Sequence, residues 1–322
     1  MKIKKNKRAV FFTFIAMFIV VLVVAVVSTR DSYRYREKSR AVTARIRTMN
    51  NFIDDFEKDL DREIYIGGYR SLLSMNAYIR QIEDYVEDFD AIFEEILVNG
   101  TANGTSMDLM SQDTKGASIN SWLARLNDEA AEQNINVDIT VNDVTVTQEN
   151  PWAVIINFES TVVIDDIKSL ASWNFDKVYT REISIIGFED PLFTVGTYDE
   201  VISLINVTPI SSLDFVTGGG DATNLNTHLL GDYYVNNPDA PSYLMRFEGN
   251  FSPSPYGIES LIDITALDAP DPDKSVVDHV YFDTTNPTVY CNVSGGVPSW
   301  FKIDIDHYDF YEIDNLTSVV CS

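Results

Sequence analysis

Positive charge is scarce in this chain beyond its first 48 residues. That segment holds 12 of the 24 Lys and Arg and only 2 of the 49 Asp and Glu, a net of +10. The rest has 12 basic against 47 acidic groups, a net of −35. Such a body excludes nucleic acid, whose phosphates need a basic face, and is repelled by an anionic lipid surface. Histidine is scarcer still: His228, His279 and His307 are the only three. No Gly-X-Ser-X-Gly, no His-Glu-X-X-His and no phosphate-cradling Gly-Lys-Ser/Thr loop occurs, so no catalytic motif speaks for an enzyme. Two histidines follow an aspartate directly (Asp278-His279 and Asp306-His307). In a strand, neighbours point to opposite faces, so neither pair is by that fact a dyad, and the histidines read as ordinary ones.

One long uncharged apolar run is present, from Ala9 to Ser28. Twenty residues at a helical rise span roughly 30 Å, the thickness of a bilayer's hydrocarbon core, whereas a discarded secretory segment carries only ~7 to 15 apolar residues. The run reads as a single-pass membrane anchor; a signal peptide cut near Ser28 is the alternative. Basic residues flank it on both sides, so their distribution alone leaves the orientation open. Six Asn-X-Ser/Thr sequons, at Asn99, Asn103, Asn206, Asn250, Asn292 and Asn315, all lie beyond the run. So do the only cysteines, Cys291 and Cys321, an even count that suggests a disulfide in an exported body, with two buried free thiols as the alternative. Both features favour a cytoplasmic N-terminus and a body, after the anchor, outside the cell.

After the anchor the period is helical. Val42, Ile46, Met49, Ile53, Phe56 and Leu60 repeat at 4-3-4-3-4, and Met75, Ile79, Ile82, Val86, Phe89, Phe93 and Ile96 at 4-3-4-3-4-3, with Gly67-Gly68 between the two series. Residues 29–98 are therefore expected to form a helical hairpin turning at the glycines or one kinked stalk, and the seams to pack on the protein's own body or on a second copy. Residues 99–117 are small and polar, an expected exposed loop. Ser118 caps a short amphipathic helix in "SINSWLARLNDEAAEQN". The period then becomes two: Ile135 to Val141, Val144 to Val146 and Trp152 to Phe158 alternate with polar residues, and "ASWNFDKVYTREISIIGF" adds a further strand.

Residues 118–195 are thus expected to form a helix plus an antiparallel sheet, and 196–322 a mostly β module. In the latter, strands are expected near "YLMRFEG", "SLIDITAL", "VVDHVYF", "TVYCNV" and "WFKIDIDHYDF", with a short helix around Leu225 to Tyr234. The fold class is α+β, with helices on an antiparallel sheet. Gly218 to Gly220 reads as a turn, since no Lys follows to complete a phosphate nest. No cofactor is evident. Two acidic groups, Asp268, Asp271 and Asp273 in a Pro-rich loop and Asp304, Asp306 and Asp309 near the C-terminus, supply oxygen ligands for Ca²⁺, the loop being the better candidate.

Taken together, a Lys/Arg-rich leader (1–9) ending in Arg8-Ala9, an apolar helix from Val10 (10–28), a continuing helix and an antiparallel sheet resemble archaeal type IV pilin-like proteins with class III signal peptides. The phrases "NPWAVIINFESTVVIDD", "ASWNF", "ISIIGFEDPLF", "YGIESL" and "PSWFKID" look like those of uncharacterised archaeal membrane-anchored surface proteins with such leaders. The resemblance implies cleavage between Ala9 and Val10, retention of the apolar helix, and its packing in a filament core or in the membrane. The large body, and Phe14 at the fifth position of that mature chain, fit a minor pilin or a pilin-like anchored surface protein with an assembly or adhesion role. A monomeric anchored ectodomain that binds or hydrolyses an extracellular ligand is the alternative.

Overall fold

The apolar run and the periodic segment behind it form one helix. In the computed structural model, which describes residues 7–110, 116–284, 290–316 and 318–321, helix α1 (Lys7–Ile82) runs for 76 residues, about 114 Å. No proline occurs before Pro151, so nothing in this stretch removes an intrahelical hydrogen bond. Residues 1–6 of the basic leader lie outside the described residues; Ala9 and Val10 are already helical. Phe11–Arg30 is the one described helical segment long and apolar enough to cross a membrane, and none of it is covered by the rest of the protein. The first buried side chain described on α1 is Met49, followed by Phe56, Leu60, Ile64, Leu72, Met75 and Ile79.

The chain does not turn at Gly67-Gly68. The helix continues through the pair, and the glycines instead let it settle onto its neighbours: a methyl group at Gly68 would overlap Ile156 Cδ1, and one at Gly67 would lie 2.9 Å from Leu97 Cδ1. The turn comes after Ile82, where Glu83 takes φ 54°, and α2 (Phe89–Asn99) starts under an Asp88 cap whose carboxylate accepts from the Ala91 amide. The second apolar series therefore straddles two helices, with Val86 buried in the turn between them.

Residues 99–110 are not a free loop. Strands β1 (Thr101–Ala102) and β2 (Thr105–Ser106) pair around Asn103-Gly104, both at positive φ as a tight hairpin requires, and Ala102, Met107 and Met110 are buried. Residues 111–115 of the expected loop lie outside the described residues. Helix α3 (Ile119–Glu132) starts at Ser118, which caps the Ser121 amide. Three long strands follow, β3 (Ile135–Asn150), β4 (Ala153–Asp166) and β5 (Ser172–Ser184), forming an antiparallel meander with β4 in the centre. The polar pair Asn142-Asp143 does not separate two strands but marks a bulge within β3. Alternate β4 residues Val154, Ile156, Phe158, Val162 and Ile164 are buried in the same core as the helices, and α1 crosses this face against β4 and β5. Ion pairs tie its edge: Arg45 to Asp166 at 2.6 Å, Glu57 to Lys177 at 2.7 Å, and Asp61 to Arg181.

The remainder alternates short elements: α4 (Pro191–Gly196), β6 (Asn206–Val207), α5 (Thr223–Leu230), β7 (Tyr233–Asn236), α6 (Tyr243–Phe247), β8 (Ile258–Ser260), α7 (Asp278–Phe282), β9 (Tyr290–Ser294), β10 (Lys302–Asp304) and β11 (Ser318–Cys321). "YLMRFEG" and the end of "VVDHVYF", expected as strands, are the helices α6 and α7, and the strand expected through "WFKIDIDHYDF" stops at Asp304. The two small sheets are β6-β7-β8, whose β6–β7 pair is parallel, and β10-β9-β11. A second apolar cluster around Phe215, Leu229, Phe301 and Tyr311 lies here. Contacts cross residue 195: Phe193 meets Phe282 at 5.3 Å, while Tyr243, Phe247 and Ile258 join the helix-and-meander core.

Candidate metal centre

The second module is built around buried charge. Arg246 on α6 is fully buried, and its Nη1 donates to Asp190 Oδ2 at 2.6 Å and to Asp278 Oδ2 at 2.9 Å, while Nη2 donates to the Ile258 carbonyl. Asp190 caps α4 through the Leu192 amide and accepts from Tyr234, whose hydroxyl in turn lies 2.8 Å from Ser203 Oγ. Asp278 starts α7 and accepts from both the amide and the hydroxyl of Ser260. Burial works against charge on Asp278, but Arg246 and the hydrogen bonds prevail and hold its carboxyl well below the usual range; burial pushes Asp190 up, with Arg246 opposing. This network bolts α4, α6, α7 and β8 together. Removing Arg246 would leave two buried carboxylates facing one another, a loss of roughly 3–5 kcal/mol.

Beside the bolt, three chemistry-bearing side chains converge. Glu259 lies on β8 between Ile258 and Ser260, His279 follows Asp278 on α7, and His307 lies in the turn after β10. Their ligand atoms lie within 4.8 Å of one another, and all three residues are buried. His307 Nδ1 is 2.6 Å from Asp304 Oδ1, and Asp304 is itself held by the Ser275 hydroxyl at 2.6 Å. That contact orients the ring and turns Nε2 to 3.2 Å from Glu259 Oε2. His279 brings Nδ1 to 3.9 Å from the same oxygen and 3.3 Å from Asp278 Oδ1, with the two imidazole centroids 5.2 Å apart. Burial disfavours charge on His307, yet the hydrogen bond to Asp304 and the adjacent Glu259 carboxylate outweigh it and raise its pKa to about 10.

Glu259 Oε2 is thus paired with His307 Nε2, while Oε1 is buried without a hydrogen-bond partner among the described residues. An opening of about 500 Å³ borders His279 and His307 and is rimmed by Asp239, Asp283, Asp304 and Asp306. The donor set, two imidazoles and one carboxylate, is one that a zinc-class cation takes, and the Asp304–His307 contact is the kind of outer support such ligands carry.

The residues singled out in the sequence fall elsewhere. Asp268, Asp271 and Asp273 are exposed; the Asp271 carboxylate accepts from the Asp273 amide and Asp273 pairs with Lys302 at 2.8 Å, and among the described residues the three do not form a cluster of converging ligand atoms. Of the second acidic group, Asp304 is buried against His307, while Asp306 and Asp309 are exposed. The partner of His307 is thus Asp304, three residues back, rather than its neighbour Asp306. All six sequon asparagines are exposed, and Cys291 is disulfide-bonded to Cys321 directly across β9 and β11. Glu259 escaped the sequence reading altogether; its one signal is a single acid in the otherwise uncharged "YGIESL". No family model, no curated protein and no solved structure matches the chain.

Proposed function

We propose that this chain is a non-catalytic, single-pass surface protein of pilin-like architecture, with a cytoplasmic N-terminus and an acidic, glycosylated body outside the cell, serving in assembly or adhesion. The observation that carries the reading is α1: one helix whose residues 11–30 are uncovered and whose residues from Met49 onward pack on an antiparallel meander. A helix apolar on all sides needs lipid or other helices around it, and a subunit that keeps it after leader cleavage has both available. The exposed sequons and the Cys291–Cys321 disulfide support a body in an oxidising, glycosylating space.

N-terminal mass analysis of the membrane-extracted protein tests this. A chain beginning at Val10 is expected. A chain beginning after Ser28 would remove the anchor and with it the proposal. A second reading, a monomeric anchored ectodomain acting on an extracellular ligand, is favoured by the opening beside His279 and His307. Cross-linking in intact membranes separates the two: oligomers favour assembly, and monomers alone favour the second.

A further inference from the structure

We propose that Glu259, His279 and His307 bind one zinc-class divalent cation, held from outside by Asp304 and reached through the acidic-rimmed opening. The argument rests first on geometry. Zinc bound ~2.0–2.2 Å from each of its tetrahedral ligands sets those ligand atoms roughly 3.3–3.6 Å apart. The observed separations of 3.2 Å and 3.9 Å from Glu259 Oε2 to the two imidazoles lie on either side of that value. All three ligand atoms lie within 4.8 Å of one another, so the side chains must draw together to close around an ion.

The second support is the buried carboxylate. A fully buried carboxylate calls for a partner, and Glu259 has only the imidazoles of His307 at 3.2 Å and His279 at 3.9 Å, whose protons a cation can displace. Lysine and arginine do not supply one here: among the described residues Glu259 has no ion pair with either, and the adjacent Arg246 directs its terminal nitrogens to Asp190, Asp278 and the Ile258 carbonyl. The third support is the ring orientation. With Nδ1 of His307 directed at Asp304, Nε2 faces Glu259 and is the nitrogen that a cation would take in place of its proton. Two nitrogens and one carboxylate suit zinc; calcium, which takes six to eight oxygens, would find too few here. The carboxylates of Asp239, Asp283 and Asp306 at the opening draw cations toward it.

The test uses the full-length protein in detergent, stripped with a chelator and titrated with Zn²⁺ and with Co²⁺ as a spectroscopic probe. One equivalent of zinc per chain is expected, with a rise in melting temperature and, for cobalt, visible absorption of tetrahedral intensity. Glu259→Gln and His307→Gln should each weaken zinc binding at least ~100-fold, and Asp304→Asn, which only positions His307, by about 10- to 100-fold. A fold control guards against misfolding. Without metal, Glu259→Gln should still show a cooperative melting transition, and adding zinc should not raise its melting temperature as it does that of the native protein. Replacing Asp268, Asp271 and Asp273 together by Asn should leave zinc affinity unchanged. Absence of saturable binding in the native protein, or binding that survives both Glu259→Gln and His307→Gln, would overturn the assignment.

Discussion

His228 lies apart from the other two histidines, fully buried between Phe215 and Tyr311, with ring centroids 5.2 Å and 5.9 Å away and neither ring nitrogen hydrogen-bonded among the described residues. Burial pushes its pKa down to about 4, against weak opposition from Glu259 and Asp278. Between that value and the ordinary 6.5 the unfolded chain binds the extra proton and the folded one does not, so stability falls as pH drops through this window. The expected loss from this group is roughly 3 kcal/mol on going from above pH 6.5 to below pH 4. Urea unfolding across the window, compared between the native protein and His228→Leu, checks this. The variant should lose less stability on acidification, and equal losses would mean that His228 titrates normally in the folded state. Nothing in the local sequence marked this histidine as buried, because "NLNTHLLG" is a short helix whose apolar face is defined only by a distant Phe215 and Tyr311.

At the scale of elements, the 4-3 series from Val42 to Leu60 names the face of α1 that is buried at Met49, Phe56 and Leu60 and half-buried at Ile53, because period 3.6 is a local property, while Val42 and Ile46 stay exposed where the body ends. Gly67-Gly68 was misleading for the opposite reason. Glycine is a weak helix former, but what decides here is a distant contact, Ile156 on β4 and Leu97 on α2, that no local pattern contains. The same limit explains "YLMRFEG": five helical residues are too few to show a period, and Arg246 within them is placed by Asp190 and Asp278 rather than by its neighbours. Of the candidate metal centre, both histidines and Asp304 stood in view, while their convergence with Glu259 depends on three separate turns. The glycine pair yields a direct prediction. Gly68→Ala gains about 1 kcal/mol in helix propensity, yet its methyl must displace the fully buried Ile156, an overpacking worth ~1–3 kcal/mol. A net destabilisation of up to about 2 kcal/mol is expected in chemical unfolding. A stabilised variant would show that α1 does not sit this close to the sheet.

Across the whole molecule, charge and coverage divide at the same place. From Phe11 to Ala44 every side chain described on α1 is exposed, and this neck carries Arg30, Arg36, Lys38 and Arg40, whereas the body after residue 48 has a net charge of −35. Val42 and Ile46 continue the apolar seam into the neck and remain 37 % and 39 % exposed. A second copy displaced along the helix axis would bring its acidic body against this basic neck and could cover the two apolar residues, so the same segment offers both charge complementarity and burial. Phe56, about three turns beyond Ile46 and fully engaged with its own core against Trp122, offers neither. The expected outcome for Val42→Asp with Ile46→Asp is therefore a folded, membrane-bound protein with an unchanged melting temperature and no cross-linked oligomers. Phe56→Ala, by contrast, should lose about 3–5 kcal/mol of stability. Raising the salt should weaken cross-linking of the native protein, since exposed charges more than ~10 Å apart are screened at 0.1 M. Oligomers that persist in the double variant and at high salt would take α1's neck out of the assembly surface, and a double variant that melts early would place Val42 and Ile46 in the protein's own core instead.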